Sequence, residues 1–477
     1  MHKPDEVFAR DLEWEALGEF ATSASPHALL GIVYGRRRQG KSLLLQALCE
    51  QADGIYLSAS ELTGREALAS FGRTLGAARG LPPLALADWP AALDAVLAVS
   101  SDRPVPVVID EFPYLAAAVP ELPSLLQAAL APRRAARLAS RVRLILCGSA
   151  LSFMGGLLSG TAPLRGRASL ELSLAPFDYR TAASFWGASD PALALRLHAV
   201  VGGTPAYRRE FVDSDAPKSL RGFDRWVVRR VLDPRSPLFR EARHLLAEEA
   251  ELRDVVGYHA LLSAVVTGET TRARMASRLG RSGPDISHQL TILTDAGLLE
   301  RREDALRARR PSYAVAEPLL SFYESVMRPA WARLERGRAE QVWAGARATF
   351  SAQVLGPHLE SLAREWLLLH AEADSLGGVA GQVGSTVLPD KAGRTSHEVD
   401  LVAVEEGGSR VLALGEVKLG ERLGRRHVER VRRARELLGP RAAEARLLLV
   451  GGGGFEEAVH NDRDVELVDL ARLYTGS

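Results

Sequence analysis

Several things are scarce in this chain, and each shortage narrows what it can be. Of 477 residues only two are cysteines, Cys49 and Cys147. Both lie in apolar stretches and match no metal-ligand spacing, which excludes a disulfide framework and fits free thiols in a reducing compartment. No run of about 18 apolar residues is free of charge, so no membrane span is expected. The opening segment MHKPDEVFARDLEWEALGEF is charged from its first residues and has no apolar signal-peptide core, and a cytoplasmic chain is the expectation. Lysine is scarce too: Lys3, Lys41, Lys218, Lys391 and Lys418 are the five, within a Lys plus Arg total of 60. Arginine is a flat, permanently charged fork, whereas lysine is a compact donor whose pKa can be lowered. Positions that keep lysine here are therefore worth following, and Lys41 and Lys418 both fall inside motifs.

What is present is an ordinary globular composition, 47% apolar with a net charge of +1, in a chain long enough for about three domains. The first third alternates apolar runs with helical patterns. ALLGIVYG (28–35), PVPVVIDEF (104–112) and VRLILCGSA (142–150) are nearly continuous apolar strands, as in a parallel sheet buried on both faces. From about 176 to 251 the pattern is helical, punctuated by Gly202-Gly203-Thr204-Pro205; from about 339 it returns to mixed α/β.

Gly35-Arg36-Arg37-Arg38-Gln39-Gly40-Lys41-Ser42 fits the Walker A pattern. Glycines let such a loop turn its backbone N–H groups toward phosphates, and the following helix N-terminus, through Leu43, adds its dipole. Lys41 would reach the β- and γ-phosphates of ATP, and the Ser42 hydroxyl would hold Mg²⁺. The second strand ends in Asp110-Glu111, the Walker B arrangement, with Asp110 on Mg²⁺ and Glu111 on the attacking water. Its bland alternative is a strand that merely ends in acids.

GIVYGRRRQGKS, VVIDEFPYL, LILCGSALSFM and GGTPAY, in that order, resemble the prokaryotic AAA-type proteins called the archaeal ATPase family, near the STAND signalling ATPases. The resemblance covers about the first 250 residues. It implies a P-loop AAA+ parallel sheet (1–175) and a helical lid (176–250) carrying the Gly-Gly-x-Pro motif. It also implies a γ-phosphate sensor at Ser149, which could equally be a strand-end serine. Arg165 and Arg167 could supply an arginine finger or be solvated loop residues; a finger given in trans would require a homo-oligomer.

Residues 251–335 look like a winged helix: YHALLSAVVTG, TTRARMASRLG and DISHQLTILTDAGLL as three helices, Gly297 ending the third, and a wing from about Leu299. Between 284 and 299 there is no Arg or Lys, leaving His288 and Gln289 as base readers. Arg272, Arg274, Arg278, Arg281, Arg301, Arg302, Arg307, Arg309 and Arg310 flank them and could hold DNA phosphates. A protein-contact module is the alternative.

The last part (336–477) places Asp400 on one strand and Glu416 and Lys418 on the next, in VLALGEVKL. Residues i and i+2 of a strand share a face, so two carboxylates and a lysine can converge as a Mg²⁺ site with a group that polarises water. The order resembles a PD-(D/E)xK restriction-endonuclease-like core, here with Glu-Val-Asp in place of Pro-Asp. The archaeal ATPase family commonly ends in such a domain (the DUF234 type). That resemblance implies Glu360, on a preceding helix, as a further metal ligand. An arginine-rich helix follows (421–436) and could track a DNA backbone or be plainly solvated. The expectation is an ATPase coupled to a DNA-contacting winged helix and a Mg²⁺-dependent nuclease, in defence or mobile-element control. The alternative is a non-cutting STAND-like switch whose last domain is a scaffold.

Overall fold

Apolar runs bounded by charged turns become strands in the first of two units, Met1–Pro176, of the computed structural model. The structure describes residues 1–247, 254–307, 310–391 and 393–476. Arg309, and the boundary expected at 250/251, lie outside these residues.

The first unit carries β1 (Leu29–Tyr34), β2 (Ile55–Ser58), β3 (Val105–Asp110), β4 (Val142–Gly148) and β5 (Ala168–Ser173). They form one parallel sheet in the order β2-β3-β4-β1-β5. Every residue of β3 and β4 is buried, which is why both read as unbroken apolar runs. One face packs through Ile32, Val107 and Leu144, the other through Val33, Ile145 and Leu44. β5 lies on an edge and alternates half-buried with exposed residues. All five strands end on the same side, where the loop 35–40, Asp110 and Ser149 are gathered.

The second unit, Phe177–Ser477, begins with helices Tyr179–Trp186 and Pro191–Val201. The Gly-Gly-x-Pro stretch follows, and its second glycine is required by space. A Cβ on Gly203 would lie 1.8 Å from the Phe177 carbonyl oxygen, and the Phe177 N–H donates to the Gly203 carbonyl at 2.9 Å. Helices Val255–Val266, Arg272–Leu279 and Gly283–Asp295 then lead into an antiparallel hairpin, β6 (Leu299–Arg302) and β7 (Ser312–Val315). Gly297, at φ +67°, turns the chain from the third helix into β6.

Helix Gly356–Leu369 opens the last part, followed by β8 (Ala380–Asp390), β9 (Thr395–Glu405), β10 (Val411–Lys418), β11 (Arg446–Gly451) and β12 (Val465–Asp469). The sheet order is β12-β11-β10-β9-β8. β8, β9 and β10 pair antiparallel; β10, β11 and β12 pair parallel, with helix Arg425–Leu438 as the β10–β11 crossover. Residues 304–307, which follow β6, are docked on this sheet. Ala305 is buried in its core beside Val402 and Leu414, and its N–H donates to the Ser385 carbonyl at 3.3 Å. The β8–β9 register shifts between Gly384 and Thr386, which frees that carbonyl.

Candidate functional site

The loop after β1 takes its shape from two constraints. Gly40, at φ +85°, starts helix Lys41–Gln51 from the left-handed region, where a side chain would be strained. Arg38 shares that region at φ +69°. The helix packs its apolar stripe, Leu44, Leu45 and Leu48, into the sheet and so aims its N-terminus at the loop. Arg36 and Gln39 are buried, Leu43 is half-buried, and Arg37 donates to the Tyr114 hydroxyl at 2.7 Å.

Lys41 is 5% exposed, and its Nζ donates to the carbonyls of Gly35 and Arg36 at 2.7 and 2.8 Å. Burial lowers its pKa, against the opposing pull of Cys147, Glu111 and Asp110. Ser42 Oγ donates to Asp110 Oδ2 at 2.6 Å, joining the loop motif to the end of β3. The Tyr56 hydroxyl donates to the same oxygen, and the Glu111 N–H donates to Oδ1 at 2.9 Å. Burial alone would raise the Asp110 pKa, but donors from Cys147, Ser42, Tyr56 and the Glu111 backbone outweigh it and hold it low. Glu111 leaves the strand at φ +52°, and its Oε2 accepts from Ser149 Oγ at 3.1 Å. The Lys41 ammonium, two carboxylates and three hydroxyls are thus assembled at one end of a parallel sheet. Ser42 and Asp110 are hard oxygen donors of the kind Mg²⁺ takes, and the residues fit that ion.

The finger arginines are not gathered here. Arg167 immediately precedes β5, whose Ala168 is level with Leu30 at the opposite end of the strands from Gly35. It lies near Arg137, which donates to the Ala28 carbonyl. Arg165 donates to Gly160 in its own loop. Within this chain Arg167 is separated from the loop by the length of β1, six residues or roughly 20 Å. Tyr56 was missed because nothing in its spacing marks it. It pairs with Val108, which puts it on the same face as Asp110 two residues on.

In the second unit, β9–β10 pairing sets Leu401 level with Gly415, so Asp400 sits beside Glu416. Asp400 Oδ2 accepts from the Val417 N–H at 2.9 Å and from Lys418 Nζ at 3.2 Å; Lys418 is 3.3 Å from Glu416 Oε1. Burial works against the Lys418 charge, but Asp400 and Glu416 outweigh it and raise the pKa. Arg430 also pairs with Glu416 Oε1. Glu416 is 4% exposed, and its Oε2 has no partner among the described residues. Such an atom suits a cation, so the Asp400–Glu416 pair fits a Mg²⁺ donor set in part. Glu360 lies close enough to feel both Asp400 and Lys418. Its carboxylate binds Arg364 at 3.0 Å, its pKa is raised by burial and by Asp400, and no three His, Cys, Asp or Glu among the described residues form a metal-holding group.

The arginines of helix Arg425–Leu438 are largely committed elsewhere. Arg430 pairs with Glu416, Arg432 with Asp462, Arg433 with Asp390 and Glu436, and Arg435 with Asp464. Arg426 pairs with Glu421, and Arg422 donates to the Phe455 carbonyl. In the three-helix segment, Gln289 is tied to Asp254 and Arg281, whereas His288 is exposed.

No protein-family model matches the chain. It is 24% identical over 409 residues to the uncharacterized protein MJECL04 of Methanocaldococcus jannaschii, across 84% of this chain and 85% of that protein. In structure it is similar to the Walker-type ATPase paby2304 of Pyrococcus abyssi, with 18% identity and a TM-score of 0.50, covering 68% of this chain and 97% of that one. The Aeropyrum pernix ORC2 protein aligns at 16% identity and a TM-score of 0.38, covering 73% and 97%. The chain has the α/β fold of a P-loop, Walker-type ATPase. No helix among the described residues is long and apolar enough to cross a membrane.

Proposed function

We propose that the chain binds ATP with Mg²⁺ on the loop 35–42 and hydrolyses it. The observation that carries this is the direct Ser42–Asp110 contact at 2.6 Å, with Lys41 buried beside it. Lys41 would exchange its two carbonyl partners for phosphate oxygens, which gain more from a charged donor. Ser42 and Asp110 would hold Mg²⁺, which when bound neutralises charge on the β- and γ-phosphates. Glu111 would orient and deprotonate the attacking water once it leaves Ser149. Steady-state hydrolysis by the wild type beside Lys41→Ala tests the reading; equal rates would end it. Arg167, at the far end of β1, would not add a finger to the site of its own chain, whereas a second copy could supply one.

A second activity is favoured by one atom, the buried Glu416 Oε2, which has no partner among the described residues. With Asp400 it would hold Mg²⁺, and Lys418 would steady charge at a phosphodiester, as in a PD-(D/E)xK nuclease. Plasmid incubated with Mg²⁺, beside Asp400→Ala and Lys418→Ala, tests it. Absence of cutting with ATP hydrolysis intact would favour the non-cutting switch, with this sheet as a scaffold. The three-helix segment would contact DNA phosphates through exposed Arg272, Arg278 and Arg281 rather than read bases. A cytoplasmic role in defence or mobile-element control suits this combination.

A further inference from the structure

Helix Pro237–Ala247, the start of helix Val255–Val266 and the segment 323–331 enclose a cleft of about 570 Å³. Arg240, Arg243, Arg328, His259, Tyr323 and Trp331 line it, and none of its described lining residues is acidic. Its cations are held in different ways. The Arg243 guanidinium lies over the Trp331 ring, 5.0 Å from the centroid, and Phe239 stacks with the same ring at 4.4 Å. A guanidinium laid on a ring presents its in-plane N–H groups outward, a fork that matches a phosphate. Arg328 is fixed by Glu324 at 2.8 Å. That fully buried carboxylate is shared with His259 Nδ1 at 2.6 Å, so its one charge is divided. Arg240 and Arg243 are in no ion pair among the described residues, unlike most arginines of helix Arg425–Leu438.

We propose that this cleft binds the phosphate of a phosphorylated small molecule of about mononucleotide size. The volume falls within the range of small-molecule sites. A duplex backbone is a convex rod and would not seat in it. The site shares no residue with the loop 35–42, and it stands whether or not that loop binds ATP.

The test titrates the full-length Lys41→Ala chain calorimetrically with inorganic pyrophosphate and with ADP. Arg240→Glu and Arg243→Glu in the same background are titrated beside it. Both arginines are exposed, so the fold should survive, and melting curves check this. The expected result is one saturable site for pyrophosphate or ADP that weakens at least about tenfold in each arginine variant. No saturable binding, or binding indifferent to both substitutions, would overturn the proposal. A short DNA duplex is titrated in parallel. Loss of duplex binding in the variants, with pyrophosphate and ADP unaffected, would assign the arginines to a nucleic-acid backbone and also overturn it.

Discussion

Ser42 Oγ donates to Asp110 Oδ2 at 2.6 Å, so the hydroxyl that ends the loop motif and the carboxylate that ends β3 meet directly. The Tyr56 hydroxyl reaches the same oxygen. One carboxylate therefore gathers donors from two other segments of the first unit, and its position defines the proposed ion site.

Removing the Ser42 hydroxyl takes away one ion ligand and one Asp110 donor together. Ser42→Ala should reduce hydrolysis at least about tenfold and raise the Mg²⁺ concentration needed for half-maximal rate. A Mg²⁺ titration of steady-state rates checks this; an unchanged midpoint would remove Ser42 from the ion site.

Gly40 begins its helix at φ +85° with open space around it, so only backbone strain opposes a side chain. Gly40→Ala should destabilise the fold by about 1–2 kcal/mol, read by denaturant unfolding of the full chain. ATP binding should weaken with it, because the loop would relax to negative φ.

Residues 304–307, which follow β6, are pinned to the C-terminal sheet by the Asp304 carboxylate, which accepts from Thr386 Oγ1 at 2.9 Å and from the N–H groups of Leu306 and Arg307. Asp304→Ala leaves those donors without a partner and should lower stability by about 1–2 kcal/mol. Thermal melting reads the loss.

His198 is half-buried against His358, their Nδ1 and Nε2 2.9 Å apart, and desolvation lowers its pKa to about 4. The folded state therefore favours the neutral ring. The stability this gives is full above the ordinary histidine pKa of about 6.5 and is lost as pH falls toward 4. Between pH 7 and pH 5 the loss should be about 2 kcal/mol from this group. Melting at the two values, beside His198→Asn, checks it; a variant with the same pH dependence would point to other groups.

Legibility in the sequence followed locality. Glycine spacing around Lys41 and the acids ending β3 were readable because loop and strand each carry their own signal, and burial on both faces made β3 and β4 unmistakable. The i, i+2 relation of Glu416 and Lys418 was readable for the same reason. Tyr56 was not, since its role depends on which strand β2 joins. The exposed alternation of β5 gave too little apolar signal, and its position put Arg167 at the far end of the sheet. The ion pairs of the arginine-rich helix were not legible, because their partners, Asp390, Glu416, Asp462 and Asp464, lie on other elements. The docking of Ala305 likewise depends on a register shift in β8 that no local pattern announces.

The most direct test of the central claim is ATP binding and hydrolysis measured on Glu111→Gln beside the wild type, with Mg²⁺ present. The variant should bind ATP about as tightly as the wild type, while hydrolysis falls at least about a hundredfold. Hydrolysis at the wild-type rate in the variant, or no ATP binding by either protein, would contradict that claim.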